Sequence, residues 1–152
     1  MEAKKTYKVF RYQTYVLWKS GRRAVISSEG KPDIEVSSPP EFKGDPGFWT
    51  PEDMFVAAVN LCTLMTFVAF AQRKELDFVS YESAAEGLLE FVEGRYRFTE
   101  VILHPHLVLK SESDIGRARQ ILDDAHKGCL VTNSLTASVK VFPEIRVAPA
   151  AA

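Results

Sequence analysis

Residues 50–74 read TPEDMFVAAVNLCTLMTFVAFAQRK and carry the clearest helix signal in the chain. Thr50 is a suitable N-cap, Pro51 suits the first helical position, and the acidic pair that follows places negative charge beside the free N–H groups of the first turn. From residue 54 to residue 71 no side chain is charged, and only one Asn and two Thr are polar. This pattern predicts a central helix over 51–74 that protein encloses on most sides.

Composition and charge fit an ordinary globular protein. The 152-residue chain is 46% hydrophobic and 26% charged, which is enough apolar material to bury a core. Its formal net charge of −1 gives no basic excess for phosphate contacts, so nucleic acid and anionic membranes are not expected as partners. We expect small neutral ligands or protein partners instead.

The sequence also predicts a cytoplasmic location. Residues 1–7 contain no apolar signal core, and the central helix opens with two acids and contains polar residues, which argues against secretion and against a membrane span. In a reducing compartment, the two cysteines, Cys62 and Cys129, are more often free or redox-active than joined in a permanent disulfide.

The segments around the central helix predict an α+β fold with one domain over 1–147. Alternating and turn-bounded patterns give an N-terminal β-meander over 7–37, whose strands are 7–18, 22–28 and 33–37, a β-hairpin over 79–109, an amphipathic second helix over 113–128 and a last strand over 138–142. The two helices should pack on curved antiparallel sheet. Residues 148–152 are expected to form a flexible tail.

A loop rich in proline, glycine and aromatic residues precedes the central helix. Residues 39–49 read PPEFKGDPGFW, and Phe42, Phe48 and Trp49 are its large apolar side chains. A loop that hides apolar surface can line a pocket. These three aromatics are therefore candidates for an apolar substrate mouth.

Each thiol has an ordinary structural explanation. Cys62 lies among apolar residues, where a cysteine is commonly a small buried hydrophobe. Cys129 follows the second helix in a less apolar context, where it either fills a helix end or can be reached by solvent or another sulfur. The two could form a transient disulfide if their Cα atoms come within about 7 Å.

Three charged residues also have ordinary structural explanations. Glu52 is fully explained as a charge at a helix start. Arg22 and Arg23 follow a glycine, where a solvated turn is usual. The alternative for the arginines is to stabilise a thiolate, because a nearby guanidinium lowers the pKa of a cysteine.

Metal binding is not expected. His104 and His106 lie two residues apart, on one face if the segment is a strand, but a third ligand would have to be His126 or a distant carboxylate. No Cys-x-x-Cys or His-Glu-x-x-His spacing supports such a site. The sequence also lacks a Gly-rich phosphate loop and a Gly-x-Ser-x-Gly elbow, so nucleotide binding and serine-hydrolase chemistry are set aside.

Two runs resemble the OsmC/Ohr family of thiol-dependent hydroperoxide reductases. Residues 51–62 read PEDMFVAAVNLC, with a glutamate ten residues before a cysteine, and residues 124–135 read DAHKGCLVTNSL around the second cysteine. The resemblance spans nearly the whole chain. It implies an OsmC-like fold, in which two long helices pack against curved sheets in an intertwined dimer with active sites at the subunit interface.

The resemblance also implies roles for single residues. Cys62 matches the peroxidatic cysteine, Cys129 the resolving cysteine and Glu52 the acid of the motif. Arg22 matches the arginine of the N-terminal hairpin, with Arg23 equally available. The implied activity is reduction of organic peroxides, and of hydrogen peroxide as well, through a Cys62 sulfenate and a Cys62–Cys129 disulfide. An external dithiol would reopen the disulfide without any cofactor.

Helix geometry adds a constraint that does not depend on the resemblance. Ten residues of helix rise about 15 Å, so Glu52 and Cys62 of one straight helix cannot meet at one small substrate. If both serve one site, they come from different chains. This predicts an obligate homodimer with a shared site.

Two other functions stay open. A hotdog-like acyl-thioester hydrolase or acyl-binding protein also wraps sheet around a long apolar helix, and there Glu52 or Asp53 would be the acid while Cys62 only packs. A non-enzymatic OsmC-like binding protein would carry two unreactive thiols.

Overall fold

Helix α1 spans Pro51–Arg73, where the sequence predicts a helix over 51–74. A reciprocal pair of hydrogen bonds closes its first turn. The Asp53 N–H donates to Thr50 Oγ1 at 3.0 Å, and the Thr50 N–H donates to Asp53 Oδ2 at 3.1 Å. The prediction that Thr50 is the N-cap is therefore confirmed.

Within one chain, α1 buries a single stripe of side chains. The buried residues recur every four positions, which places them on one face: Val59, Thr63, Phe67 and Ala71. Leu61 and Met65 remain 55% and 56% exposed. The prediction of a helix enclosed on most sides is wrong for the single chain, because only that face is fully buried. By length and composition α1 would also be able to cross a membrane, a property shared by core helices of soluble proteins.

The structure, a computed structural model, describes residues 3 and 5–150. The chain divides into two compact units, residues 1–53 and residues 54–152. This division is finer than the single domain over 1–147 that the sequence predicts.

The first unit contains a three-stranded antiparallel sheet in the order β1-β2-β3. Its strands are β1 (Tyr15–Ser20), β2 (Arg23–Ser27) and β3 (Ile34–Ser37). Tyr15 pairs with Ser27, the last residue of β2, so the sheet offers no partner to earlier residues. The strand predicted over 7–18 therefore begins too early, and residues 5–14 have no regular secondary structure.

The second unit is built on a long hairpin. Its antiparallel strands are β4 (Phe78–Val92) and β5 (Arg95–Leu109), close to the hairpin predicted over 79–109. Two short strands, β6 (Ser138–Val141) and β7 (Glu144–Val147), pair parallel to β5 on its other edge. The sheet is therefore mixed where the sequence predicts antiparallel pairing.

The strand predicted over 138–142 continues beyond an interruption. Pro143 has no N–H to donate to a neighbouring strand, so β6 ends before it and β7 resumes after it. The Ala148 N–H then donates to the Leu109 carbonyl at 2.8 Å, within the tail predicted over 148–152. Residues 151 and 152 lie outside the described residues.

Helix α2 spans Ile115–Gly128 and follows a 3-10 turn at Glu112–Asp114. Its apolar face is buried as the three- and four-residue spacing predicts, through Ala118, Ile121, Leu122 and Ala125. This face packs against Phe67 of α1 and Leu107 and Leu109 of β5 in the main core. The predicted amphipathic helix is confirmed, and the α+β architecture with it.

Candidate functional site

Cys62 lies at the middle of α1 as a free, half-buried thiol. The Thr66 hydroxyl, one turn later, donates to the Cys62 carbonyl at 2.8 Å. Thr63, the next residue along the chain, belongs to the buried stripe. Cys62 is therefore not the fully buried hydrophobe that its ordinary structural explanation requires.

Cys129 follows the last residue of α2 and is completely buried, with 0% of its surface exposed. Its N–H donates to the His126 carbonyl at 3.5 Å, and its carbonyl accepts the Asn133 N–H at 3.0 Å. The end of α2 packs closely on α1, since a Cβ on Gly128 would lie 3.1 Å from the Phe70 ring. Of the two interpretations of Cys129, this burial agrees with a residue that fills a helix end and excludes access of solvent in the single chain.

The fold brings the two thiols together. Burial raises the pKa of Cys129, but the polar groups that surround its sulfur, from Thr132, Cys62 and Thr63, outweigh burial, so that the pKa lies below its ordinary value. The Thr63 Oγ1 atom is 3.8 Å from Cys129 Sγ. A stabilised thiolate in contact with a second sulfur is equipped for disulfide chemistry.

Thr63 and Thr132 are the site residues that the sequence analysis missed. Thr63 interrupts an otherwise apolar stripe, directly after a cysteine, and this unusual position was the available signal. Thr132 lies three residues after Cys129 in a 3-10 turn, a local arrangement with no marker in the sequence.

Glu52 lies in the first turn of α1 and is half-buried. Its Oε2 atom is buried and has no hydrogen-bond partner among the described residues. Buried carboxylate oxygens almost always have a donor, so a helix-start charge does not account fully for this side chain. About 15 Å of helical rise separates Glu52 from Cys62 along α1.

The two arginines of the hairpin differ in their surroundings. Arg23 lies on β2, with its guanidinium 4.4 Å from the centre of the Phe48 ring and 4.0 Å from carboxylate oxygens of both Glu35 and Asp45. Arg22 lies in the turn before β2 and is exposed, and no ion pair engages it within the described part of the chain. Arg23 is therefore held in place by its own unit, whereas Arg22 is available to another group.

The three aromatic side chains of the predicted mouth lie in different surroundings. Phe48 is half-buried beneath Arg23, and Trp49 is 54% exposed while its carbonyl accepts the Ser37 N–H at 3.0 Å. Phe42 ends a 3-10 turn at Pro40–Phe42 and is 39% exposed. All three lie in the first unit, whereas both cysteines lie in the second. An apolar mouth at the thiols therefore stays a prediction.

Two of the three imidazoles have a neighbour of their own. His104 stacks on Phe142 with ring centres 5.8 Å apart, and His106 Nδ1 lies 3.2 Å from Glu144. His126 is half-buried on α2. Over residue 3 and residues 5–150, no three His, Cys, Asp or Glu side chains are grouped so as to hold a metal ion.

Comparisons with known proteins agree with this fold. A family described as OsmC-like protein matches residues 44–144. The uncharacterized protein YmaD of Bacillus subtilis is 25% identical over 134 residues, which cover 86% of this chain and 89% of that protein. The similarity to this relative covers more of the chain than residues 44–144, and its description names no activity.

Solved structures extend the match to three dimensions. An OsmC-like protein of unknown function, VCA0330 from Vibrio cholerae, has a TM-score of 0.82 at 23% identity, over 90% of this chain and 100% of that one. A Legionella pneumophila protein described as an organic hydroperoxide resistance protein has a TM-score of 0.73 at 19% identity, over 93% and 100%. At these identities the structures show the fold. With the family match covering more than half of the residues, the chain belongs to the OsmC-like protein family.

Proposed function

We propose that this protein is a thiol-dependent peroxidase that reduces organic hydroperoxides, with hydrogen peroxide as a further substrate. The observation that carries the proposal is the proximity of the half-buried Cys62 thiol to the buried Cys129 thiol, whose pKa is lowered by the polar groups around it. The family includes proteins described as organic hydroperoxide resistance proteins, which supports the same chemistry.

The two thiols divide the reaction according to their burial. Cys62 is the partly accessible one, so its thiolate attacks the peroxide: an S–O bond forms, the O–O bond breaks, and the alkoxide leaves as an alcohol after taking a proton. The sulfur becomes a sulfenic acid. Peroxide reduction and thiol oxidation each account for two electrons.

Cys129 completes the oxidative half of the cycle. Its thiolate attacks the sulfenic sulfur, an S–S bond forms, and hydroxide leaves as water. Full burial protects this thiolate from reacting with peroxide itself, while its proximity to Cys62 keeps the resolving step short. An external dithiol then returns both thiols by exchange and supplies the two electrons, without a bound cofactor.

The guanidinium and carboxylate of the site are proposed to come from the partner chain of a homodimer. Leu61 and Met65 form an uncovered apolar face on the helix that carries Cys62, as an interface requires. Glu52 Oε2 lacks a donor, and Arg22 is the uncommitted hairpin arginine within the described residues. Arg22 would favour the thiolate and the developing oxygen charge, and Glu52 would orient its guanidinium.

The aromatic loop supports the preference for organic peroxides. Trp49 is 54% exposed and Phe42 is 39% exposed in the single chain, so both present apolar surface that a substrate with an alkyl or aryl body can cover. We propose that they and Phe48 form the apolar mouth of the shared site.

Thiol accounting by intact mass spectrometry tests the proposal. One equivalent of cumene hydroperoxide should convert the wild-type protein to an intramolecular disulfide, Cys129→Ser should stop at the Cys62 sulfenic acid, and Cys62→Ser should lose turnover at least about a thousandfold. Unreactive thiols would instead support a binding protein. The acyl-thioester alternative would be supported by two results together: the wild-type protein does not turn over peroxide, and the Cys62→Ser variant hydrolyses an acyl thioester as fast as the wild type.

The dimer has its own test. Light scattering should give twice the chain mass, and Met65→Lys, which places a charge on the uncovered face, should shift the protein toward monomer and lower turnover. The charge control is Lys5→Glu, because Lys5 lies at an exposed N-terminal position. A monomer with full activity would contradict the shared site.

A further inference from the structure

A groove separate from the thiol pair lies between α2 and the turn that joins β6 to β7. Its volume is about 430 Å³, within the range of pockets that hold small organic ligands. Its apolar wall consists of Leu122, Val141, Phe142 and Pro143. Neither cysteine lines it.

Phe142 gives the apolar wall a fixed aromatic surface. The side chain is 56% exposed, although large aromatic residues are normally covered. Its ring stacks on His104 at an interplanar angle of 24°, which holds it in one orientation. An immobilised and uncovered ring loses little side-chain entropy when a ligand packs against it.

The charges around the groove leave one cation uncompensated. Lys140 Nζ lies 3.0 Å from Glu100, and Asp123 lies 2.8 Å from Lys127, so these two lining residues are already paired. Arg119 also lines the groove and is exposed, and within the described part of the chain it has no ion-pair partner. The unpaired charge of the groove is therefore the positive charge of the Arg119 guanidinium.

His126 contributes an imidazole to the lining of the same groove. Its Nδ1 atom is buried and has no hydrogen-bond partner among the described residues. Arg119 and His126 lie seven positions apart on α2, about two turns, so they are on one side of the helix. A ligand entering here can meet a charged donor and an imidazole from the same helix.

We propose that this groove binds a small monocarboxylate with an apolar body, such as a medium-chain fatty acid. The carboxylate accepts hydrogen bonds from the planar fork of Arg119 beside the imidazole of His126, and the apolar body covers Phe142 and its neighbours. A neutral ligand leaves the guanidinium unpaired. A dianion brings a second charge for which the lining residues hold no free cation.

Isothermal titration with sodium octanoate tests the proposal on the full-length protein in the absence of peroxide, so the result does not depend on the proposed peroxidase activity. We expect one saturable site per chain. Octanamide, which has the same body without the charge, should bind at least about tenfold more weakly, since a hydrogen bond to a charged group contributes more than a neutral one.

Matched variants identify the site. Arg119→Gln should weaken octanoate binding at least about tenfold, whereas Arg97→Gln, an exposed arginine on β5 outside the groove, should leave it unchanged. Equal weakening by both variants, or equal affinity for octanoate and octanamide, would overturn the proposal.

A measurement on the wild-type protein covers the case of a variant that does not fold. The ring signals of His126 in NMR spectra should shift saturably with octanoate, while those of His106, which faces Glu144 outside the groove, should stay in place. Absence of any His126 shift at saturating octanoate would also overturn the proposal.

Discussion

The Thr63 hydroxyl oxygen lies 3.8 Å from Cys129 Sγ and 2.9 Å from the Val59 carbonyl oxygen. A hydroxyl has one proton, so it cannot donate fully to both acceptors at once. A thiolate is a stronger acceptor than a backbone carbonyl, because charged acceptors form the stronger hydrogen bonds. Ionisation of Cys129 therefore draws this proton toward the sulfur, and Thr63 helps to keep the pKa of Cys129 low.

Replacing this donor should raise the pKa of the buried thiol. Thr63→Val keeps the shape of the side chain but removes its proton, so we expect the pKa of Cys129 to move up. The ultraviolet absorbance of the thiolate, followed as a function of pH in a Cys62→Ala background, measures it without requiring access to the sulfur. Thr66→Val is the control, since its hydroxyl serves the Cys62 carbonyl. An equal shift in both variants would show that the effect is not specific.

Tyr81 should make the protein less stable at high pH. Burial raises the pKa of its phenol from 10.0 to about 12. The folded state thus holds this proton more tightly than the unfolded state, so its contribution is complete below pH 10 and is lost as pH rises to 12. A shift of this size sets an upper limit of roughly 2–3 kcal/mol, and the partial exposure of Tyr81 to solvent brings the expected loss below that limit.

Urea unfolding at several pH values between 10 and 12 measures that loss. Tyr81→Phe has no phenol to ionise and should lose less stability over this interval. Tyr96→Phe, at an exposed tyrosine of the hairpin, should retain the wild-type decline. If the free energy of unfolding falls equally with pH in Tyr81→Phe and in the wild type, the loss does not come from Tyr81.

The start of α1 should depend on the Thr50 hydroxyl. Thr50→Ala removes the acceptor for the Asp53 N–H and should lower the free energy of unfolding by about 1 kcal/mol. Thr50→Ser keeps the hydroxyl and should cost much less. Chemical denaturation measures the free energy of unfolding of both variants. Equal losses of this free energy in Thr50→Ala and Thr50→Ser would contradict the prediction.

Gly87 is required for close packing of β4. A Cβ at this position would lie 2.6 Å from Val56 Cγ2 and 2.8 Å from Phe98 Cε1. Gly87→Ala should therefore destabilise the protein by about 1–3 kcal/mol through overpacking. Denaturant midpoints provide the measurement.

The comparison for Gly87 is a glycine with free space around it. A Cβ on Gly116 would meet no atom within 4 Å, and helix α2 gains from a better helix former there. Gly116→Ala should raise stability by roughly 0.5–1 kcal/mol. Destabilisation by both substitutions would mean that crowding at β4 is not the cause.

Local interactions explain why the helices were predictable. The Thr50 cap acts over three residues, and the apolar face of α2 follows from the spacing of Ala118, Ile121 and Ala125. The proposed roles of Cys62 and Glu52 came from a motif within one helix. Such signals are contained in short stretches of sequence.

Strand limits and burial depend on distant parts of the chain. Tyr15 begins β1 because β2 ends opposite it, and β7 exists because β5 offers an edge beyond Pro143. The aromatic and β-branched residues before Tyr15 favour strand equally well, but without a partner they form none in this chain.

The two helices, the cap of α1 and the motif around Cys62 were therefore readable from the residues alone, since they depend on residues close along the chain. The burial of Cys129, its proximity to Cys62 and the contribution of Thr63 to its pKa depend instead on how distant segments pack. The physical reason is that a thiol's ionisation depends on the desolvation and hydrogen bonds it receives from every neighbouring segment. Those neighbours lie 66 positions apart and meet only when α2 packs on α1.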